Sequence, residues 1–172
     1  MKLRLDLHVH YIEATGFIQP TTASVAQLID TVKTRGLDGI AITDHKGYSP
    51  DFAHQVKDIV EHEFNSEILI LLGQECDVGT EHVVEIYMPE NRVFRFLAHP
   101  VHLPVEDYIA KDIQGVEINN GQYGIDEHAT REYAQEHKLL LLSNSDAHLL
   151  DRIGGSYNEI DLDDMLKLSV SR

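Results

Sequence analysis

A parallel β-sheet covered by helices, an α/β fold, is predicted by three observations. Apolar runs rich in β-branched residues recur along the 172-residue chain, near-continuous rather than alternating, as strands buried on both faces require. Amphipathic helical patterns lie between several of these runs. The length suits one domain at about 100–200 residues each, so residues 1–172 are expected to form a single domain. Pattern alone is consistent with a closed barrel or with an open, doubly wound sheet.

The first strand is expected over 3–9. Thr21 or Thr22 caps a helix over 24–35, which Gly36 closes. A strand over 39–43 follows, then a helix over 51–64 after Pro50. Strands over 68–72, 83–88 and 93–98 come next. The link between the last two is too short for a helical crossover, which argues against a strictly regular eightfold barrel. A short helix over 105–110 leads to a strand over 115–118, and a helix over 126–138 to a strand over 139–142. Residues 161–168 form a terminal helix.

Composition excludes several classes. Fourteen Lys and Arg stand against 29 Asp and Glu, a net charge of -15, which argues against a broad footprint for nucleic acid or anionic membrane. An anionic ligand would need a local source of positive charge, which bound divalent metals supply. No apolar run reaches the 18 or so residues of a membrane span and no signal-peptide pattern opens the chain, so it reads as cytoplasmic with no membrane partner. The single cysteine, Cys76, excludes an internal disulfide framework and reads as a buried core residue.

The run Asp6-Leu7-His8-Val9-His10 is the most informative. In a regular strand alternate side chains share a face, so Asp6, His8 and His10 are expected on one side and Leu5, Leu7 and Val9 on the other. Five further apolar runs end in metal-competent residues: Asp44 and His45, Glu75, His99, Glu117 and Asn119, and Asp146 and His148. In parallel α/β folds the carboxyl ends of strands converge on one face, where sites form. Imidazole with carboxylate suits Zn, Mn or Fe, in a cluster of two or three divalent ions. Glu75 and Asp146 are the carboxylates expected to bridge, each having two oxygens.

Five ordered motifs, Asp6-Leu7-His8-Val9-His10, Thr43-Asp44-His45, Gly73-Gln74-Glu75 followed by His82, Ala98-His99-Pro100 and Ser145-Asp146-Ala147-His148, resemble those of the PHP (polymerase and histidinol phosphatase) superfamily. The resemblance covers residue 6 to about 155. It implies a distorted (β/α)7 TIM-like barrel with up to three metals at the carboxyl ends of its strands, used for phosphoester hydrolysis. It also implies that His8, His10, Glu75 and Asp146 hold the first ion, His45 and His148 the second, and Glu75, His82 and His99 the third. Thr15 departs from the pattern, standing where the family places a further second-metal ligand. Glu13 or a water is left to fill that place, and two or three ions remain open. The segment from Glu117 to Asp146 leaves room for one helix and one strand, without the cap of many family phosphatases, so an open site is expected.

The implied mechanism is in-line attack at phosphorus by hydroxide from a metal-activated water whose pKa falls toward about 7. Asp44 and His148 are the candidate catalytic residues. Asp6 and Asp44 also suit carboxylates that orient imidazoles, or strand-end caps. Lys46 and Arg152 are candidates for binding the substrate phosphate. His102 belongs at the rim or surface, and His54, His62, His128 and His137 at the surface. The expected activity is hydrolysis of sugar, histidinol or nucleotide phosphates, or of short oligonucleotides. A non-catalytic metal-binding or regulatory module and a metal-dependent amidohydrolase are the alternatives, and the oligomeric state stays open.

Overall fold

The computed structural model describes all 172 residues, Met1–Arg172. Eight strands lie in the order β7-β6-β5-β4-β3-β2-β1-β8: β1 Leu3–Val9, β2 Gly39–Ile42, β3 Leu69–Val78, β4 Glu81–Met88, β5 Arg92–Leu97, β6 Gly115–Asn120, β7 Leu140–Asn144 and β8 Asn158–Ile160. A ninth, β9 (Val170–Ser171), pairs with β5. The sheet curls into a nearly closed, distorted TIM-like barrel. The β1–β2–β3 and β5–β6–β7 pairings are parallel, whereas β3, β4 and β5 form an antiparallel meander, in keeping with the short link between the last two.

Helices cover the outside. α1 (Tyr11–Ala14) and α2 (Thr22–Thr34) join β1 to β2, α3 (Asp51–Glu63) joins β2 to β3, α4 (Asp107–Ala110) precedes β6, and α5 (Glu127–His137) precedes β7. Thr21 and Ser24 close a reciprocal capping box at the start of α2, satisfying orphan N–H groups of the first turn. Val25, Leu28 and Val32 of α2 pack with Ala53, Val56 and Val60 of α3 against Ile40 and Ile70. Inside the barrel, Leu5, Leu7, Ile86, Phe94, Phe96 and Leu142 form a second apolar cluster. Its lower end is plugged by α6 (Leu162–Leu168) through the fully buried Met165.

Two strands depart from simple alternation, and both departures shape the upper end. The register of β1 against β2 shifts between Asp6 and Val9. Leu5 and Leu7 therefore face the barrel interior while Val9 joins the outer cluster, which corrects the expected sharing of one face by Asp6, His8 and His10. The register of β6 against β7 shifts between Glu117 and Asn119, so Asn120 is buried and Asn119 is exposed, against the expectation for Asn119. A bulge inserts one residue and re-aims the side chains after it.

The seam between β7 and β1 has no continuous ladder. His10 N–H donates to the Ala147 carbonyl at 2.9 Å, and Leu7 N–H donates to Asn144 Oδ1 at 3.0 Å. Lower down, Asn158 of β8 closes the gap with its amide. Its Oδ1 accepts from Ser143 N–H at 2.8 Å and its Nδ2 donates to the Ser143 carbonyl at 2.9 Å, serving as a strand's peptide group would.

Candidate metal centre

The upper end of the barrel gathers ionisable side chains where the lower end gathers apolar ones. β1 delivers His8, the residue between β1 and α1 is His10, the turn after β2 delivers His45, β3 delivers Glu75, β4 His82, the turn after β5 His99, and the turn after β7 Asp146 and His148. His99 and Asp146 sit at φ 28° and 51°, a left-handed backbone that non-glycine residues adopt at a cost of about 1–3 kcal/mol and that clusters at functional sites. Gly121 allows β6 to pass close to the Asp146 turn, since a Cβ there would lie 2.1 Å from the Ser145 carbonyl oxygen.

Glu75 is the hub. Its Oε2 lies 2.9 Å from His45 Nδ1 and 3.6 Å from His10 Nε2. Its Oε1 lies 3.2 Å from His82 Nδ1, 3.3 Å from His99 Nε2 and 3.4 Å from His8 Nε2. Burial alone would raise this carboxyl, but hydrogen bonds from His45, His8 and His99 outweigh it and hold Glu75 well below the usual carboxylate range. Asp146 is likewise pushed up by burial and brought net below its ordinary value by His10 and His8. Burial acts to lower His8, yet Glu117 and the other carboxylates carry it well above its ordinary value. His10, with burial dominant, is lowered.

Three groups of side chains place their ligand atoms within 4.8 Å of one another: His8, His10 and Asp146; Glu75, His82 and His99; and His10, His45 and His148 with Glu13. The donor chemistry fits a divalent cation. The Nε2 atoms of His8 and His10 face each other at 3.1 Å. Asp146 Oδ1 is buried without a hydrogen bond, although His10 Nε2 and His8 Nε2 lie 3.1 and 3.5 Å away. Convergent imidazole nitrogens around an unsatisfied carboxylate oxygen form the kind of set that suits Zn, Mn or Fe.

Behind these groups lies a carboxylate with a different task. Glu117 is fully buried and belongs to none of the three groups. Its Oε1 accepts from His8 Nδ1 at 2.9 Å and Asn144 Nδ2 at 2.8 Å, and its Oε2 from His99 N–H and Asn120 Nδ2, both at 2.7 Å. With Nδ1 held by Glu117, His8 turns Nε2 toward Glu75 and Asp146, and that nitrogen is the one a divalent ion would take in place of a proton. Glu117 thus orients an imidazole, a role expected of Asp6 or Asp44.

Asp6 instead accepts from Ser145 Oγ and N–H and from Gly154 N–H, tying β1 to the turns after β7. Burial pushes its pKa up to about 6. Asp44, expected among the catalytic groups, also lies outside the three groups: its Oδ1 accepts from Ile12 N–H at 2.8 Å, which anchors α1. Burial raises Asp44 to about 7.

The remaining expected residues fall at the periphery. Lys46 and Arg152 are exposed, Lys46 beside a cavity of about 100 Å³ next to His45 and Tyr48, Arg152 on an open cleft of about 380 Å³ with Gln122 and Ser156. His54, His62, His102, His128 and His137 are exposed and Cys76 is buried. Tyr123, which no motif marks, stacks on His99 with ring centroids 4.3 Å apart.

Three solved structures share the fold. PsfC from Pseudomonas syringae is 15% identical, with a TM-score of 0.68 over 99% of this chain and 92% of its own. A protein from Bifidobacterium adolescentis, provisionally assigned as a metal-dependent phosphoesterase, is 14% identical with a TM-score of 0.70 over 97% and 96%. An amidohydrolase from Chromobacterium violaceum, solved with sulfate and no metal, is 13% identical with a TM-score of 0.64 over 97% of each chain. No curated protein matches in sequence. The PHP domain model matches residues 6–166, almost the whole length, and the chain belongs to the PHP domain family.

Proposed function

We propose that this chain is a metal-dependent phosphoesterase cleaving phosphomonoesters of sugar, histidinol or nucleotide type, or short oligonucleotides. The observation that carries the reading is the buried Glu75 carboxylate, met by five imidazoles and flanked by Asp146. His8, His10, Glu75 and Asp146 would hold one ion, His45 and His148 a second, and Glu75, His82 and His99 a third. Divalent ions supply Lewis acidity at phosphoryl oxygens and lower the pKa of water toward about 7.

The chain's own groups prepare that chemistry. Glu117 fixes the His8 tautomer, and the Asp146 carbonyl, accepting from His148 Nδ1 at 2.9 Å, leaves His148 Nε2 facing the mouth. Asp44 acts as a positioning residue through α1. Lys46 and Arg152 are the exposed cations that would meet the phosphate in a chain of net charge -15. The cleft beside Arg152 would take the organic part of the ester. The reading treats residues 1–172 as one domain acting in the cytoplasm; no helix is long and apolar enough to cross a membrane.

Amide hydrolysis is the second reading, favoured by the likeness to the Chromobacterium violaceum amidohydrolase. The ordered motifs at 43–45, 98–100 and 145–148 favour phosphoesters. The test is a panel of phosphomonoesters, phosphodiesters and amides offered to protein loaded with Mn, Zn or Fe, beside His8→Ala. Ester cleavage lost in the variant supports the proposal. Bound metal with no ester cleaved under any of the three ions sinks it.

A further inference from the structure

The first motif departs from the family pattern at Thr15, and the fold offers a carboxylate near the same place. The Thr15 hydroxyl donates back to the Tyr11 and Ile12 carbonyls at 2.9 and 3.2 Å, the bonds a helical hydroxyl makes to its own preceding turn. α1 begins directly after His10, so residue 13, three positions on, lies on the same side as His10. Tyr11 and Ile12 are buried, and Glu13 is left facing the mouth.

The Glu13 carboxylate therefore lies with the imidazoles of His10, His45 and His148, all four ligand atoms within 4.8 Å of one another. Its Oε2 is 3.0 Å from His148 Nε2. Its Oε1 accepts from the Tyr48 hydroxyl at 2.9 Å, and the Tyr48 ring stands edge-on to His45, with centroids 5.8 Å apart at 80°. Two imidazoles facing a dication bring no charge to it, and a carboxylate beside them does. Imidazole nitrogens with one carboxylate oxygen form a recurrent donor set for Zn.

We propose that Glu13 is a ligand of the second divalent ion, joining His45 and His148 in place of the residue that Thr15 replaces, with Tyr48 as its positioning residue. The centre then has donors for three ions rather than two. The proposal rests on the metal-dependent reading of the site, but not on what the site cleaves.

Metal content tests it. Full-length wild type and Glu13→Ala, each equilibrated with Zn²⁺ and counted by mass spectrometry of the metal, should differ by one ion per chain; equal counts overturn the proposal. Tyr48→Phe should keep the full count while weakening the most loosely held ion by about 10–100-fold, the range for losing a partner that orients a ligand. An unchanged affinity overturns the part given to Tyr48. Should Glu13→Ala fail to fold, anomalous scattering from zinc-loaded wild-type crystals decides. A zinc ion bound by His45 and His148 with a Glu13 oxygen at about 2.0–2.2 Å supports the assignment, and Glu13 turned away, or no ion there, refutes it. A chain that binds its ions through Glu13 and cleaves no ester refutes the phosphoesterase reading and leaves this one standing. Ester cleavage with equal ion counts in wild type and Glu13→Ala does the reverse.

Discussion

At the end of the barrel where the parallel strands begin, Leu5, Leu7, Phe94, Phe96 and Leu142 fill the interior and Met165 plugs it. At the end where they finish, the same strands and the turns after them deliver His8, His10, Glu75, His99 and Asp146, equally well buried. The change comes within one to four residues on each segment. The lower end gains its stability from removing apolar surface from water, at about 25 cal/mol per Å². The upper end holds charges that burial penalises and that only mutual pairing, or a cation, offsets. One end supports the fold and the other is supported by it.

Substitutions should separate the two ends. Glu75→Gln should have the largest effect: phosphoester hydrolysis falls to background and bound metal drops by at least one ion per chain, read by assay and metal analysis. Phe94→Ala removes a fully buried ring and should cost about 3–5 kcal/mol in urea unfolding, with ion content unchanged while the chain is folded. Metal lost along with stability in that variant would show the two ends to be one cooperative unit.

A subtler change at the upper end is Glu117→Gln. All four partners of that carboxylate donate to it, so an amide must turn its NH₂ against a donor. Affinity for the most tightly bound ion should fall about 10–100-fold in a zinc competition titration. The smallest effect is expected outside both ends. On the outer face of β4, burial would raise Glu85, but hydrogen bonds from Arg95 and Gln74 hold it below its ordinary value. A carboxyl lowered in the folded state stabilises above its unfolded pKa of about 4.3 and loses that contribution as pH falls through the folded value. Glu85→Gln should therefore cost up to about 1 kcal/mol at pH 7. The gap to wild type should shrink below about pH 4.

Much of this contrast was legible in the residues. Apolar runs located all seven barrel strands, and the short link at 89–92 argued against a regular eightfold barrel, as the antiparallel β4–β5 pair bears out. β3 runs on to Val78, past the expected end at Leu72, because Glu75 stays in the strand while facing the site and Gly73 lets β4 approach closely; polarity there marks a change of environment along one element. β8 is three residues of mixed polarity and α1 is a single turn, too short for either to impose a period. The bulges were the larger obstacle. Strict alternation put Asp6 with the histidines and Asn119 with Glu117, and one extra residue in each strand reversed both. Glu117 read only as metal-competent because a buried strand-end carboxylate looks the same whether it meets a metal or an imidazole N–H.

The seam at Asn158 has a genetic corollary. Every other joint among β1 to β7 is a ladder of backbone bonds, which no single substitution can erase because every residue type except proline carries the same peptide donor and acceptor. Here part of the closure is written in one codon. Asn158→Asp would set a carboxylate against the carbonyls of Ser143 and Leu5 and against Asn144 Oδ1, all of which the amide now serves, and because Asn144 in turn donates to Glu117, one step that opened the lower seam would also reach the carboxylate behind His8.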